Sequence, residues 1–324
     1  MQYLFLTRNG KDGRGHLVRC KAISDALLKF NIKSKFIINS SDDTHIIGVQ
    51  NIIHIFDWQR NENKLISLIR NYDNIFLDSL TISKRLLTKI SNNSKNFIYI
   101  DDFKRFKHKK GIIIDWTIGV ENKYDQKDLF FLFSHKFAAL RPFFWSQNNK
   151  VIYKDIKNIL VSFSKDINSV ALKTVPCVQT VYPNSNIKIV SNSKIIYKKY
   201  NHLKNIKILS NISGKKMRNL MLKCDLSVAA GGITLYELAS VGVPTIAVIT
   251  NSNQVDDTIG FARKKIIINS GHWNSKMFQK KLIKSLENTQ SYEIRKQMSR
   301  KGQKIIDGLG ALRIAEFIKT KNKS

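Results

Sequence analysis

The stretch that decides the fold is "CDLSVAAGGITLYELASVGVPTIAVITNSNQ", residues 224–254. It predicts an apolar strand that ends at Gly231 and Gly232, a helix that begins with Ile233, and a second strand at 244–249. A strand, a crossover helix and a second strand in this order form the repeating unit of a parallel α/β sheet. The stretch therefore predicts a doubly wound domain.

The glycine turn in this stretch has the composition of an anion site. Gly231 and Gly232 let a ligand approach the backbone closely, and the unsatisfied N–H groups of Ile233 and Thr234 would face it from the helix start. A diphosphate fits such a cradle. Alternatively, the two glycines form only the tight turn that every doubly wound domain needs.

Two polar residues favour the ligand interpretation. Glu237 lies just inside the predicted helix, where its carboxylate could accept two hydrogen bonds from a ribose diol. Gln254 belongs to the segment after the next strand, whose amides would line the same end of the sheet. Together these residues predict a nucleotide rather than an empty turn.

Short apolar runs alternate with longer periodic ones along the rest of the chain, as in two sheets covered by helices. Residues 16–30 repeat apolar side chains at helical steps. The predicted strands are residues 3–7, 34–38, 51–56, 75–78, 97–101, 111–115, 158–163, 178–183, 187–190, 206–209, 226–230 and 244–249. The 324 residues suffice for two cores, and the segment 149–153 is polar. We therefore predict an α/β protein of two Rossmann-like domains, 1–150 and 151–324, whose last helix, about 310–321, packs back on the first.

The charge balance of the chain limits the classes of ligand and partner. The chain carries 55 Lys and Arg against 24 Asp and Glu, a formal net charge of +31, which favours anionic ligands. The lysines are spread along the chain, with one dense run at 102–110, so a general lysine bias explains the charge equally well. No zinc-finger, RRM or basic-zipper pattern accompanies it. We expect no specific nucleic-acid partner.

The cysteines and apolar runs indicate the compartment. Cys20, Cys177 and Cys224 are widely spaced, and no CxxC or Cys/His pattern occurs, so we expect no disulfide framework and no zinc site. We also expect no other metal and no cofactor. No run of about 18 apolar residues and no signal-peptide pattern occurs either. We expect a cytoplasmic protein without a membrane span. Peripheral membrane contact and the oligomeric state stay open.

The segment "KDGRGHLVRC", residues 11–20, holds the candidate for chemistry. His16 follows two glycines, and one helical turn would bring it near Arg19. A neutral imidazole, with an unperturbed pKa near ~6.5, can act as a general base at cellular pH. The same residues also suit a plain helix entrance.

Six motifs occur in order along the chain. They are GxGHxxRC at Gly13–Cys20, LDSL around Asp78, IDD ending at Asp101 and Asp102, ALRP at Arg141 and Pro142, the glycine stretch, and DGLGALR at Asp307–Arg313. Together they resemble the UDP-sugar hydrolases of the pseudaminic acid pathway (the PseG type) and the related spore-coat polysaccharide proteins. The resemblance covers nearly the whole chain. It implies the GT-B architecture shared with the murein-precursor glycosyltransferase, in which two Rossmann-like domains border a cleft.

The resemblance also implies a reaction and its ligands. His16 would activate the water that attacks the anomeric carbon of a UDP-activated diacetamido-trideoxy sugar, with UDP leaving and no metal needed. The free sugar would serve nonulosonic acid synthesis. The implied sugar contacts are Gly13, Gly15, Arg19, Asp78, Asp102 and Arg141. The implied UDP contacts are Gly231, Gly232, Ile233, Thr234, Glu237, Gln254, Ser164 and Lys165. Arg19 has an alternative role, which is to anchor the loop by binding carbonyl groups or a carboxylate.

One departure keeps other functions open. Relatives carry a glycine pair, near SFGGSD, after the first strand of the second domain, whereas this chain reads SFSKDI at 162–167. Lys165 offers a charge there in place of backbone donors. The alternatives to hydrolysis are a glycosyltransferase, which passes the sugar to an acceptor, and a non-catalytic nucleotide-sugar-binding protein.

Overall fold

The computed structural model describes residues 1–9, 15–40, 49–102, 110–120, 131–146, 149–163 and 170–321. The chain divides into two compact units. Unit 1 comprises Met1–Pro142 and Leu309–Ser324, and unit 2 comprises Phe143–Gly308. The final helix therefore belongs to unit 1, and unit 2 is one continuous segment.

Unit 1 is a parallel sheet with helices. Its described strands are β1 Gln2–Arg8, β2 Lys33–Asn39, β3 Ile52–Ile55, β4 Asn74–Asp78, β5 Asn96–Ile100, β6 Ile112–Asp115 and β7 Phe131–Phe133. Its described helices are α1 Gly15–Leu28, α2 Glu62–Ile69, α3 Lys84–Asn92 and, from the end of the chain, α11 Gly310–Lys321. The strands lie in the order β3-β2-β1-β4-β5-β6-β7, and all neighbours are parallel.

The register of the strands brings apolar side chains together in the core of unit 1. Phe5 lies opposite Phe36 on one side and Phe76 on the other, and the three rings stack with centroids 5.0 and 4.7 Å apart. Leu4 and Leu6, which alternate with Phe5, belong to a separate buried cluster. Both faces of the sheet are therefore covered, as the continuous apolar strands predict.

Helix α11 packs against α1 within unit 1. Its first residue explains one glycine of the DGLGALR motif, because a Cβ on Gly310 would overlap the backbone of Ala138. Arg313 also donates a hydrogen bond to the carbonyl oxygen of Lys136, at 2.9 Å. These contacts give the motif a packing role.

Unit 2 is a second parallel sheet. Its described strands are β8 Asn158–Ser162, β9 Asn186–Val190, β10 Ile206–Leu209, β11 Leu226–Ala230, β12 Thr245–Ile249 and β13 Ile267–His272. Its described helices are α4 Val170–Val181, α5 Lys194–Tyr200, α6 Gly214–Lys223, α7 Ile233–Val241, α8 Val255–Arg263, α9 Phe278–Asn288 and α10 Tyr292–Ile305. The strand order is β10-β9-β8-β11-β12-β13. Among the described helices of both units, none is long and apolar enough to cross a bilayer.

The polar segment at 149–153 is fixed to unit 2 by one lysine. Lys150 Nζ donates to the carbonyl oxygens of Leu222 and Cys224, at 2.5 and 2.6 Å, where α6 ends. A cation at a helix C-terminus satisfies carbonyl groups that the helix itself leaves unpaired. The division between the units follows Pro142, so the segment 149–153 lies within unit 2.

One predicted strand is wrong. Residues 178–183 begin inside α4, whereas every other predicted strand falls on a strand of the structure. Valine and threonine favour strands, but Ala171, Val175 and Val178 recur at helical steps and join one buried cluster. The predicted strands do not include β7 and β13.

The strand order of each sheet reverses at one point. In unit 1 the chain runs from β1 to β2 and β3 and then returns to β4, on the other side of β1. In unit 2, β8 lies between β9 and β11 in the same way. Doubly wound sheets bind ligands outside the carboxyl ends of their strands at such points. Asp78, at the end of β4, and Gly231, after β11, lie at these two positions.

Candidate functional site

Four polar side chains meet at the strand reversal of unit 1. His16 and Arg19 lie one turn apart at the start of α1, Asp78 is the last residue of β4, and Asp102 follows β5. The helix that follows β1 brings its first turns beside the carboxyl ends of the neighbouring strands. The structure thus joins four of the residues that the sequence singles out, and we call them the His16 cluster.

Arg19 is the centre of the His16 cluster. Its Nε and Nη2 atoms each lie 2.5 Å from an oxygen of Asp78, and its Nη1 and Nη2 atoms lie 2.9 and 2.7 Å from the oxygens of Asp102. Paired N–H···O bonds of this kind are strong and fix orientation. The guanidinium also stands 5.2 Å from the ring centre of Trp116. Sequence reasoning missed Trp116, although it follows a strand end as the aspartates do.

Burial and charge fix the protonation of the two buried partners. Burial raises the pKa of Asp78, but the charges of Arg19 and His16 and their hydrogen bonds outweigh it and hold that pKa well below its usual range. Burial lowers the pKa of Arg19, while Asp102 and Asp78 raise it, and the net result lies well above the usual value. Asp78 is therefore a carboxylate and Arg19 a cation.

His16 is the imidazole of this cluster and is partly exposed. Its side chain is 17% accessible, whereas that of Asp78 is fully buried. Its Nδ1 lies 2.7 Å from Asp78 Oδ1 and 3.1 Å from Arg19 Nη2, and its Nε2 has no hydrogen-bond partner among the described residues. The preceding Gly15 is exposed, and a Cβ there would meet nothing within 4 Å. An imidazole with one nitrogen engaged and the other accessible can exchange a proton with a bound molecule.

Cys20 adds no nucleophile to the cluster. Its Sγ lies 3.6 Å from Asp78 Oδ2, and burial, together with the charge of that carboxylate, raises the pKa of the thiol well above its usual value. The three cysteines are buried and free. No group of three or more His, Cys, Asp or Glu within the described ranges is arranged to hold a metal ion.

The glycine turn lies at the strand reversal of unit 2. A Cβ on Gly231 would overlap Thr258 Oγ1 and stand 3.1 Å from Gln254 Cβ, so close packing of α8 requires glycine. Gly232 is the N-cap of α7, and no side chain caps that helix. The N–H groups of Ile233 and Thr234 have no acceptor in the described part of the chain. The start of α7 therefore presents free donors and the positive end of the helix dipole.

Gln254 and Glu237 flank this helix start. Gln254 Oε1 accepts hydrogen bonds from the backbone N–H and the hydroxyl of Thr250, at 2.9 and 3.1 Å, which fixes the amide. Its Nε2 lies 4.0 Å from the point where a Cβ of Gly232 would stand, and so adds a donor beside the turn. Glu237 lies in α7 and is 3% exposed.

Four further residues are predicted for the site. Arg141 is partly exposed and precedes a short 3₁₀ turn at Pro142–Phe144. Gly13, Ser164 and Lys165 lie outside the described residues.

Comparisons with known proteins find a family model that matches part of the chain and several relatives. Residues 190–305, all within unit 2, match the family model of group 1 glycosyl transferases. The chain is 26% identical to an uncharacterized protein of Methanocaldococcus jannaschii over 75% of this chain and 54% of that protein. It is 22% identical to the spore coat polysaccharide biosynthesis protein SpsG of Bacillus subtilis, over 97% of this chain and 96% of SpsG.

A third relative is a two-function protein of Helicobacter pylori. It is a pseudaminic acid cytidylyltransferase and UDP-2,4-diacetamido-2,4,6-trideoxy-beta-L-altropyranose hydrolase, 22% identical to this chain. The match covers 75% of this chain and 43% of that protein. The chain thus spans about half the length of the archaeal relative and less than half of this one.

Solved structures decide the fold class. MurG of Acinetobacter baumannii superimposes with a TM-score of 0.69 at 11% identity, over 99% of this chain and all of MurG. The UDP-GlcNAc 2-epimerase of Neisseria meningitidis, solved with UDP-GlcNAc bound, gives 0.66 at 12% identity over 99% and 100% of the two chains. The fold is GT-B. The strand reversal points of the two GT-B sheets therefore hold the His16 cluster and the glycine turn.

Proposed function

We propose that this GT-B protein hydrolyses a UDP-activated diacetamido-trideoxy sugar at its anomeric carbon and releases UDP and the free sugar for nonulosonic acid synthesis. The observation that carries the proposal is His16, a partly exposed imidazole whose Nδ1 is held by a buried carboxylate and whose Nε2 has no hydrogen-bond partner among the described residues. A general base in a hydrolase needs this combination of fixed orientation and access to water. The hydrolase named for the Helicobacter pylori relative supplies the substrate class.

The nucleotide is assigned to unit 2. The free N–H groups at the start of α7, the helix dipole and Gln254 Nε2 all favour a diphosphate. Glu237 is assigned to the ribose hydroxyls, to which a carboxylate can accept two hydrogen bonds. The UDP-GlcNAc bound in the epimerase of the same fold supports a UDP-sugar as the ligand class.

The proposed reaction is one displacement. His16 Nε2 removes a proton from water while the water oxygen forms a bond to the anomeric carbon. The bond from that carbon to the diphosphate oxygen breaks, and UDP leaves with the electron pair. The donors at the start of α7 stabilise the negative charge that develops on the diphosphate.

A glycosyltransferase is the second candidate, because residues 190–305 match the family model of group 1 glycosyl transferases. In that reaction His16 would deprotonate an acceptor hydroxyl in place of water. The nucleotide assignments would not change.

One experiment separates these functions. The purified chain is incubated with a panel of UDP-sugars, with and without sugar or lipid acceptors, and UDP release is followed beside a His16→Asn control. Release from one diacetamido-trideoxy sugar without acceptor supports the hydrolase, and release only with acceptor supports the transferase. UDP binding without turnover under any condition would leave a nucleotide-sugar-binding protein.

A further inference from the structure

We infer that Asp78 and Arg19 are positioning residues that hold His16 as its Nδ1–H tautomer, so that Nε2 keeps the lone pair that accepts the proton. The family resemblance implies a sugar contact for Asp78 and either a sugar contact or a loop anchor for Arg19. The geometry of the cluster gives the two residues this different task. The catalytic consequence rests on the proposed function, whereas the tautomer is a property of the free protein.

The inference begins with the two neighbours of His16 Nδ1. Asp78 Oδ1 lies 2.7 Å away and can only accept a hydrogen bond, while Arg19 Nη2 lies 3.1 Å away and can only donate one. The two neighbours demand opposite tautomers. An Nδ1–H would donate to Asp78, and a bare Nδ1 would accept from Arg19.

Counting the hydrogen atoms of Arg19 decides between them. Nη2 carries two hydrogens, and it already lies 2.5 Å from Asp78 Oδ1 and 2.7 Å from Asp102 Oδ2. Both hydrogens are used, so none remains for His16. A bare Nδ1 would then direct its lone pair at a carboxylate oxygen 2.7 Å away. Nδ1 therefore carries the hydrogen, and in the neutral ring Nε2 does not.

The same contacts leave Asp78 and Arg19 little capacity for a sugar. Asp78 is fully buried, and its oxygens already receive hydrogen bonds from His16, Arg19 and Cys20. Four of the five N–H groups of Arg19 are directed at the two carboxylates. Asp102 and the ring of Trp116 hold the guanidinium of Arg19 in the orientation in which it binds both oxygens of Asp78. Among the described residues, the charged and titratable groups that contact the His16–Asp78 pair are thus Arg19 and Cys20, with Asp102 beyond Arg19.

The direct test is the tautomer of His16 in the wild-type protein without ligand. Long-range ¹H–¹⁵N NMR distinguishes the two nitrogens of each of the seven histidines, and the spectrum of His16→Asn identifies His16. We expect the Nδ1–H form in the neutral ring. An Nε2–H form would overturn the inference, and this readout does not depend on any enzymatic activity.

The kinetic test uses Asp78→Asn. If the asparagine amide nitrogen faces His16, the ring must adopt the Nε2–H form. If it faces Arg19 Nε, two donors oppose each other. We expect kcat to fall by about 10²- to 10⁴-fold with little change in KM, as when a triad aspartate that orients a histidine is lost.

Graded and control variants keep this test decisive. Arg19→Lys retains the charge without the planar fork, so we expect a smaller loss of kcat in the same direction. Glu62→Gln removes an ion pair with Arg85 and Lys89 elsewhere in unit 1 and should leave kcat unchanged. A rise in KM with unchanged kcat in Asp78→Asn would make Asp78 a sugar contact and overturn the inference. If Asp78→Asn does not fold, the wild-type spectrum and Arg19→Lys still decide.

Discussion

The glycine pair of unit 2 allows a prediction in which two adjacent residues behave differently. In Gly231→Ala the new methyl group overlaps Thr258 Oγ1 and stands 3.1 Å from Gln254 Cβ and 3.3 Å from the carbonyl oxygen of Gln254. Thr258 cannot swing away freely, because it is buried and its hydroxyl donates to that carbonyl at 2.7 Å. The start of α8 must therefore shift. In Gly232→Ala the nearest atom is Gln254 Nε2, at 4.0 Å, which is ordinary contact.

These distances set the expected magnitudes. Overpacking a well-filled site costs about 1–3 kcal/mol, so Gly231→Ala should lower the free energy of unfolding by that amount. For a unit of the size of Phe143–Gly308, this corresponds to a fall in Tm of about 2–12 °C. Gly232→Ala should cost about 1 kcal/mol, because alanine is a poorer N-cap residue than glycine but its methyl group meets no close atom. It should nevertheless weaken UDP binding, since its methyl group lies at the free donors of α7.

The assay is thermal and urea unfolding of both variants, with and without UDP. Thr258→Ala added to Gly231→Ala should recover part of the lost stability, because it removes the atom that the methyl group meets first. A Gly231→Ala protein that melts like the wild type would refute the packing of α8 against the turn. So would a pair in which Gly232→Ala is the less stable variant.

Three further predictions follow from the site. In His16→Asn we expect UDP binding to persist, turnover to fall by at least ~10²-fold, and the acid limb of the pH–rate profile to disappear. Near-normal turnover in a less stable protein would mean that His16 only helps to start α1. UDP at a hundredfold excess over its dissociation constant should stabilise the wild type by ~2.7 kcal/mol, and Glu237→Ala should lose most of this thermal shift unless the ribose is held elsewhere. Because the pKa of Asp78 is depressed in the folded state, its stabilisation is complete above the ordinary carboxyl range and is lost as pH falls below about 4. Urea midpoints of the wild type should therefore fall more steeply below this pH than those of Asp78→Asn, and parallel curves would contradict this.

The sequence predicts most of the sheet topology because buried parallel strands consist of nearly continuous apolar residues. It fails at 178–183, where valine and threonine resemble a strand and only the packing of α4 reveals a helix. The three-residue strand β7 carries too few residues for a pattern. In β13 only the first two residues are apolar, and the rest of the strand reads "NSGH".

The sequence predicts which residues form the candidate site but does not predict the hydrogen bonds between them. Parallel strands bring their carboxyl ends to one edge, so Asp78 and Asp102 can be expected near the helix that carries His16. The sequence does not show that one guanidinium binds both carboxylates, because this depends on side-chain geometry that spacing does not encode. For the same reason the sequence does not predict Trp116, whose ring centre lies 5.2 Å from that guanidinium.

The placement of α11 in unit 1 affects the order in which the protein is completed on the ribosome. Unit 2, Phe143–Gly308, is one continuous segment, and its described strands are synthesised before α11. Unit 1 must wait, because Ile314, Ala315 and Ile318 of α11 are buried only when that helix reaches it. Domains generally fold as units during synthesis. Of the two units, the one that carries His16 is therefore begun before unit 2 and completed after it.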